Sequence, residues 1–386
     1  MIGQKGIGST FGRLVFGRFA CGVSLALALL MLAPALTRNV WIARLAASEL
    51  SAGTGLIALA GLLALRRNEA KRGFKIAGAV ALLLSVLPFA ATLPAFAAHH
   101  RTFSMREYVM WGPSHAAIER QTDLSLEPSQ PTLLLDLYRG LGAGPRPLLV
   151  IVHGGSFSGG DKGENKTVSE IFAARGYSVA DVQYRLSPTF RFPRAVQDVK
   201  CLAGRLRERA QQFGIDPDRV AYLGRSAGGA IAIVAAYSAG DPRLPPSCDV
   251  PDRPLSAIVT LYAPLDLEWG WRIRAFPDPI VGYRVLERYI GGTPSTEAEA
   301  FRSASATAWV SALTPPTLLI HGTRDSLVSP HHTQLLIDTF LRKGLTPPRR
   351  LLVPFADHGF DYHPGGLGEQ LARAEILEFL GETLKR

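Results

Sequence analysis

The sequence is poor in cysteine, and its first quarter has very little negative charge. Of its 386 residues only three are cysteines, namely Cys21, Cys201 and Cys248. That number is too small for a disulfide framework or a four-ligand zinc site, so we expect no metal. Cys201 and Cys248 could pair if they face an oxidising compartment, but two unpaired thiols are the expected state.

Charged residues are a minority, and the two signs are unevenly distributed. Charged residues make up 19% of the chain and hydrophobic residues 47%, a composition typical of a folded protein. Residues 1–107 contain 12 Lys and Arg but 3 Asp and Glu, whereas residues 108–386 contain 30 and 29. The larger part is nearly neutral, so we expect no nucleic-acid partner and interpret the basic excess as a determinant of membrane topology.

Three apolar stretches occupy the amino-terminal part, at 19–37, 45–65 and 76–98. Each approaches or exceeds the roughly 20 apolar residues that a membrane-spanning helix needs. We therefore expect residues 1–107 to form a membrane anchor with three transmembrane helices. Buried helices of a soluble domain are the alternative, but the stretches lack amphipathic alternation.

The basic residues around these stretches predict an orientation. Lys5, Arg13 and Arg18 precede the first stretch, and the connection at 66–75 carries five basic residues against Glu69. Placing both on the cytoplasmic side obeys the positive-inside rule with three spans, which predicts a multi-pass protein of the inner or plasma membrane. The remaining domain then lies outside the cytoplasm, and this holds even if the first stretch is a cleaved signal peptide.

From residue 108 onward short β-rich runs alternate with amphipathic helices. This alternation predicts an α/β domain over 108–386, with a mostly parallel twisted sheet covered by helices on both faces. A stretch at 265–315 interrupts the alternation and is rich in Trp, Phe and Pro, so we interpret it as a lid insertion. The predicted strands lie at 132–138, 147–152, 177–182, 219–223, 255–261, 317–320 and 349–353.

A serine follows one of these strands in the motif Gly224-Arg225-Ser226-Ala227-Gly228-Gly229. A serine on a tight turn from strand to helix has a strained backbone and an exposed hydroxyl, and small residues on either side let the strand and helix approach. The pattern Gly-x-Ser-x-Gly is common by chance. Its position between a strand and a helix makes Ser226 the candidate nucleophile.

A second glycine motif, His153-Gly154-Gly155-Ser156-Phe157, ends an earlier strand. Glycines at this point leave backbone N–H groups free to stabilise an oxyanion, and the residue after the nucleophile supplies another donor. The predicted oxyanion hole therefore consists of Gly154, Gly155 and Ala227. His153 is interpreted as a structural residue of this loop.

A serine hydroxyl needs a base, and the base needs a carboxylate to fix its tautomer. His358 and Asp325 both follow late strands, and the order Ser226, Asp325, His358 is that expected when all three lie on successive strand ends. His321 is the rival base. The alternative acids are Asp266 and Asp357; Asp357 is adjacent to His358 and could hardly reach its ring.

Taken together, these motifs resemble the α/β-hydrolase fold esterase and lipase family, in the branch of hormone-sensitive-lipase-like and feruloyl-esterase-like enzymes. The resemblance covers about 130–386 and includes Tyr184-Arg185-Leu186-Ser187-Pro188 and Gly214-Ile215-Asp216-Pro217. It implies hydrolysis of carboxylic esters through an acyl-enzyme without a metal or organic cofactor. The chain has Ser156 where many relatives have a third glycine, so the resemblance does not extend to activity on bulky tertiary-alcohol esters.

An anchor beside lipid and an aromatic lid favour apolar or lipid-derived esters as substrates. Phe157, Trp269 and Trp271 are the candidate substrate-binding residues, although aromatic side chains at this density are as often lid core. Two other functions remain open at this point. One is a serine peptidase or amidase on the same fold, and the other is a non-catalytic binding protein tethered to the membrane.

Overall fold

A single sheet forms the centre of the domain that follows the amino-terminal helices. The computed structural model describes residues 5–66, 72–114, 117–140, 144–164, 166–273 and 276–384. Within these ranges the sheet has eight strands. They are β1 (Ile118–Ser125), β2 (Leu134–Gly140), β3 (Arg146–Val152), β4 (Ser178–Val182), β5 (Ile215–Arg225), β6 (Ala257–Leu261), β7 (Thr317–Gly322) and β8 (Arg349–Val353).

The strand order is β1-β2-β4-β3-β5-β6-β7-β8. β2 pairs antiparallel with both β1 and β4, and the remaining pairs are parallel. The predicted mostly parallel α/β sheet is confirmed. β1 was not predicted, because it is a half-exposed edge strand with the sequence IERQTDLS and lacks a regular apolar alternation.

The core lies on both faces of the sheet. Along β3, Leu148, Val150 and Val152 belong to one buried cluster, whereas Leu149 and Ile151 belong to the cluster on the opposite face. Alternate side chains of a strand point to opposite faces, so a strand covered on both sides is apolar throughout. This burial fixes the carboxyl ends of β3, β5, β7 and β8 at one edge of the sheet, where their loops meet.

Helices cover the sheet and form the amino-terminal region. They are α1 (Lys5–Leu30), α2 (Arg38–Glu49), α3 (Ser51–Leu65), α4 (Arg72–Ser85), α5 (Leu87–Ala98), α6 (Met105–Val109), α7 (Lys166–Ala173), α8 (Arg194–Glu208), α9 (Ala210–Phe213), α10 (Ala227–Tyr237), α11 (Leu267–Arg272), α12 (Gly282–Ile290), α13 (Ala298–Ser303), α14 (His331–Arg342) and α15 (Leu367–Thr383). α11, α12 and α13 lie within the predicted lid, 265–315, between β6 and β7.

Two helical stretches among the described residues, Gly12–Leu30 and Arg72–Ala98, are long and apolar enough to cross a membrane. α2 and α3 supply a third only if they count as one span, because they are bent by 72°. The bounds therefore differ from the predicted 19–37 and 45–65: α1 ends at Leu30, and the apolar helix α3 begins at Ser51 after the more polar α2. The predicted basic connection at 66–75 includes residues 67–71, which lie outside the described residues.

Small residues allow α1, α3 and α4 to pack closely. A β-carbon on Gly61 or on Gly78 would lie 2.8 Å or 2.7 Å from the sulfur of Cys21, so each backbone approaches α1 directly. Close contact at glycine is the usual way in which apolar helices associate in a membrane. α5 then joins this group to the domain, since Phe96 packs into the core beside α15.

The expectation of two unpaired thiols is wrong, because Cys201 and Cys248 form a disulfide with their Cα atoms 5.4 Å apart. The two residues are separated by 47 positions in the chain. Cys201 lies in α8, which packs against α10, and Cys248 lies in the loop after α10. Tertiary packing brings them together, so no local pattern predicted the pair.

Candidate active site

Ser226 lies on the turn between β5 and α10. Its backbone has φ 51° and ψ −123°, a region that L residues rarely adopt and that costs energy. The turn is held in this form because the N–H of Ser226 donates to the carbonyl of Leu261 at 2.9 Å. The hydroxyl is thereby presented at the carboxyl edge of the sheet.

Glycines around this turn are required by close backbone contacts. A β-carbon on Gly224 would lie 2.4 Å from the carbonyl oxygen of Gly228, and one on Gly228 would lie 2.1 Å from the carbonyl oxygen of His153. Carbon and oxygen atoms do not approach this closely, so any larger residue would force β5, α10 and the loop after β3 apart.

The predicted oxyanion donors lie around Ser226. The site where a β-carbon of Gly154 would stand is 3.3 Å from Cβ of Ser226, and Gly155 has φ 108°. Ala227 is the first residue of α10, so its N–H has no partner within the helix. Among the described residues, the backbone N–H groups of Gly154, Gly155 and Ala227 donate no hydrogen bond to another backbone carbonyl.

His153 lies beneath this loop. Its Nδ1 is 2.8 Å from the carbonyl oxygen of Gly154, and its ring stacks on Tyr184 with the centroids 4.3 Å apart. Burial lowers the pKa of His153, so the ring is neutral near pH 7. These contacts fit a residue that supports the loop.

His358 lies between the serine and the acid predicted from the sequence. Its Nε2 is 2.9 Å from Oγ of Ser226, and its Nδ1 is 2.8 Å from Oδ2 of Asp325. With Nδ1 donating to the carboxylate, Nε2 is unprotonated and can accept the serine hydroxyl proton. The structure thus brings the three predicted residues into one hydrogen-bonded chain.

The side chain of Asp325 is fully buried and strongly stabilised as a carboxylate. Burial by itself would raise its pKa, but the charge of His358 and the hydrogen bonds from His321 and His358 outweigh burial and hold the pKa of Asp325 well below its ordinary value. Its Oδ1 also accepts the backbone N–H groups of Leu327 and Val328, at 2.9 Å and 2.8 Å.

His321, the rival base, lies on the far side of the same carboxylate. Its Nε2 is 3.1 Å from Oδ2 of Asp325 and 2.9 Å from the carbonyl oxygen of Val328. Both neighbours are acceptors, so Nε2 carries the proton and donates it. His321 therefore acts as a second donor to the acid and makes no contact with the serine.

The two alternative acids have other partners. Asp266 caps α11, where its Oδ1 accepts the N–H of Trp269 at 2.9 Å. Asp357 forms a buried ion pair with Arg44 of α2 and accepts the backbone N–H of His358 at 2.8 Å. Neither carboxylate contacts the imidazole of His358.

A cavity of about 370 Å³ contains Ser226 in its wall and extends along α11 and α12 of the segment 265–315. Its volume is within the usual range of small-molecule sites. Most of the wall is apolar, with Ile273, Phe276, Val285, Leu286 and Leu327 among the lining residues. Phe276 is 97% exposed, so it lies at the rim of the cavity.

The predicted substrate-binding residues have different positions. Phe157 lines the cavity and stacks on Tyr289 with the centroids 3.8 Å apart, and Trp269 lines the cavity beside His332. Trp271 is not among the described residues that line the cavity: it packs on the domain core, and its Nε1 donates to Glu287 at 3.0 Å. It lies two residues after Trp269 on the short helix α11, so the two side chains point in different directions.

The sequence analysis missed three residues that surround His358. The ring of Tyr262 lies 4.5 Å from the imidazole and the ring of Trp41 6.2 Å from it, while Arg44 pairs with the neighbouring Asp357. Tyr262 directly follows β6, a position at which an aromatic side chain could have been noticed. Trp41 and Arg44 share one face of α2, a spacing that marks a packed helix face but does not reveal its partner.

Comparisons with known proteins identify the family and the fold. The sequence pattern of the BD-FAE family matches residues 135–340. Esterase LipC of Mycobacterium tuberculosis is 28% identical over 89% of this chain and 84% of its own length. Probable carboxylic ester hydrolase LipM of the same species is 29% identical over 74% of this chain, which spans 62% of LipM. The crystal structure of esterase B from Lactobacillus Rhamnosis has a TM-score of 0.61 at 19% identity, covers 77% of this chain and 95% of its own, and shares the fold.

Proposed function

Because the chain belongs to the BD-FAE family of α/β-hydrolases and is an ester hydrolase, we propose that it is a membrane-anchored serine esterase that forms an acyl-enzyme on Ser226. One observation carries this proposal. Ser226, His358 and Asp325 are joined by hydrogen bonds of 2.9 Å and 2.8 Å beside a largely apolar cavity, which Ser226 and Asp325 line.

In the proposed mechanism the hydroxyl oxygen of Ser226 attacks the ester carbonyl while Nε2 of His358 takes its proton. The imidazolium so formed is stabilised by Asp325, which stays ionised because its pKa is held low. The tetrahedral intermediate collapses, and His358 gives its proton to the departing alkoxide. Water then attacks the acyl-serine with the same proton transfers, which releases the acid and restores the hydroxyl.

The oxyanion of each tetrahedral intermediate would be held by the N–H groups of Gly154, Gly155 and Ala227. Donors that are fixed before the reaction stabilise developing charge without reorganisation, and one such donor contributes about 100- to 1000-fold in rate. The loop that carries the two glycines is braced from below, since the hydroxyl of Tyr184 donates to the carbonyl of His153 at 3.0 Å.

The cavity supports an apolar group as one half of the substrate. Its wall is formed mainly by hydrocarbon side chains of the lid and of the loop after β7, so transfer of an acyl or alkyl group from water is favourable there. Apolar esters, including lipid-derived ones, are therefore the proposed substrates. Phe157 and Trp269 would contact the substrate.

The proposed location is a membrane with the catalytic domain outside the cytoplasm. Two independent features support this side. The basic residues Lys5, Arg13 and Arg18 lie in the amino-terminal part of α1, before the apolar stretch predicted at 19–37, which favours a cytoplasmic amino terminus. The disulfide between Cys201 and Cys248 is typical of a domain in an oxidising compartment. Proteolysis of the domain in intact cells is the expected result; protection until the membrane is permeabilised would contradict it.

The serine assignment is tested with the purified full chain in detergent. We expect Ser226→Ala to lose nearly all p-nitrophenyl acetate hydrolysis and all labelling by a fluorophosphonate probe, whereas Ser158→Ala, an exposed neighbour of the oxyanion loop, keeps both. Hydrolysis by Ser226→Ala at the wild-type rate would refute the mechanism.

A panel of p-nitrophenyl esters of increasing chain length, run beside aminoacyl-p-nitroanilides, tests the substrate class. We expect kcat/KM to rise from acetate to longer acyl chains and to exceed that of the amides. Faster turnover of the amides would indicate a peptidase instead.

A further inference from the structure

The amino-terminal region contributes a buried ion pair to the loop that carries the proposed base. Arg44 of α2 is 7% exposed, and its Nε donates to Oδ2 of Asp357 at 2.8 Å. Its Nη2 contacts the same oxygen and the carbonyl of Arg324 at 3.2 Å, while Nη1 donates to the carbonyl of Ala33 at 3.1 Å. A residue more than 300 positions away in the chain therefore holds the side chain next to His358.

Asp357 uses its second oxygen to tie two active-site loops together. Oδ1 accepts the backbone N–H of His358 at 2.8 Å and both the N–H and the hydroxyl of Ser326, at 2.9 Å and 3.0 Å. Ser326 directly follows Asp325. One carboxylate thus fixes the loop of the proposed base against the loop of the proposed acid, and Arg44 binds the other oxygen of that carboxylate.

Apolar contacts of the same helix reach the site beside this ion pair. Trp41 lies one helical turn before Arg44, and its ring is 6.2 Å from the imidazole of His358. Trp41, Leu45 and Ala35 form a small buried cluster against Leu327, which lines the substrate cavity. The face of α2 that carries Arg44 therefore packs directly behind the wall of the active site.

We propose that Arg44 is a positioning residue for ester hydrolysis, through which docking of the amino-terminal helices on the domain sets the geometry of His358 and Asp325. The proposal rests on the function proposed above. A buried carboxylate that loses its cation is left uncompensated and moves or binds a proton. Either change would release its hydrogen bonds to Ser326 and His358, and a displacement near 1 Å can reduce a rate about 100-fold.

The experiment measures kcat and KM of the full chain in detergent with p-nitrophenyl acetate. The concentration of competent sites is taken from saturating fluorophosphonate labelling. The variants are Arg44→Met, Arg44→Lys and the double variant Arg44→Met/Asp357→Asn. The matched control is Arg101→Met, which removes the ion pairs of Arg101 with Glu375 and Glu378 that also join the amino-terminal region to the domain.

We expect Arg44→Met to lower kcat per labelled site about 10- to 100-fold while KM changes little, because the reacting groups are displaced and the cavity is retained. Arg44→Lys should keep part of the lost rate, since it restores the charge without the paired donors. The double variant should have a higher kcat per labelled site than Arg44→Met, because it leaves no unpaired buried charge. Arg101→Met should keep the wild-type kcat even if it melts at a lower temperature.

Wild-type kcat per site in Arg44→Met, or an equal loss of kcat in Arg101→Met, would overturn the positioning role. If Arg44→Met yields no labelled protein, the test is made with Arg44→Lys. A reduced kcat per labelled site in Arg44→Lys supports the proposal, and a wild-type kcat refutes it. Ser226→Ala is run in parallel. Full activity of that variant would refute the proposed function itself, which separates the two failures.

Discussion

Replacement of Asp325 by asparagine is the most direct perturbation of the proposed triad, because the described residues include donors to both of its carboxylate oxygens. Oδ2 faces two histidine donors, Nδ1 of His358 at 2.8 Å and Nε2 of His321 at 3.1 Å. Oδ1 faces two backbone donors, at Leu327 and Val328. An asparagine has one acceptor and one donor end, so its amide NH₂ must point at a pair of donors in either orientation.

The two orientations of the amide predict different costs. If the NH₂ group faces the backbone, buried donors are left unsatisfied, at about 1–3 kcal/mol of stability for each. If it faces His358, the imidazole must accept at Nδ1 and carry its proton on Nε2, where it can no longer take the proton of Ser226. The wrong tautomer lowers kcat about 10⁴-fold in serine hydrolases, which corresponds to about 5 kcal/mol.

The assay is p-nitrophenyl acetate hydrolysis by purified Asp325→Asn, with circular dichroism and a thermal melt to establish that the variant is folded. Asp266→Asn is the matched control for the alternative acid, since asparagine caps a helix as well as aspartate does. We expect a loss of three to four orders of magnitude in kcat for Asp325→Asn and most of the activity in Asp266→Asn. The reverse pattern, or more than a tenth of wild-type kcat in Asp325→Asn, would refute the assignment.

Three further predictions concern stability and backbone geometry. Cys201→Ser removes the disulfide with Cys248, which closes a loop of 47 residues, and should lower the free energy of unfolding by up to about 4 kcal/mol. The variant should melt at a lower temperature than the wild type, and a reductant should lower the melting temperature of the wild type but not that of the variant. Burial lowers the pKa of His332 to about 3, so the unfolded state binds more protons than the folded state between about pH 6.5 and 3. The free energy of unfolding should therefore decrease as the pH is lowered through that window, by at most about 5 kcal/mol. His332→Gln should lose this acid sensitivity in thermal melts, whereas exposed His331→Gln should keep it. Gly228→Ala, whose β-carbon would lie 2.1 Å from a backbone oxygen of the oxyanion loop, should lower kcat at least as much as loss of one oxyanion donor, about 100-fold, and unchanged kinetics would contradict the close approach.

Local sequence patterns were enough to predict most strands of the sheet. A strand buried on both faces, such as β3 with its run Leu148–Val152, is an uninterrupted apolar stretch that stands out from its surroundings. The glycines of the turn after β5 are required because a β-carbon on Gly224 or Gly228 would lie 2.4 Å or 2.1 Å from a backbone oxygen. The edge strand β1 has one solvated side and a polar sequence, so its position depends on pairing with β2 and not on its own residues.

The order of strand ends also made it possible to predict which serine, aspartate and histidine lie together. In a parallel sheet the carboxyl ends of the strands meet at one edge, so residues that follow β5, β7 and β8 are brought close whatever lies between them. The same reasoning could not assign the aromatic lid residues, because a short helix directs Trp269 into the cavity and Trp271 into the core.

By itself the sequence determined what depends on neighbouring residues: the apolar stretches, the strained strand-to-helix turn at Ser226 and the glycine loop after β3. The tertiary structure alone decided what depends on distant segments meeting. It pairs Cys201 with Cys248, makes His321 a second donor to Asp325, and brings Arg44 against Asp357. Each of these contacts joins side chains of ordinary type whose partners are selected by packing of whole elements, and packing leaves no periodic signal in the chain.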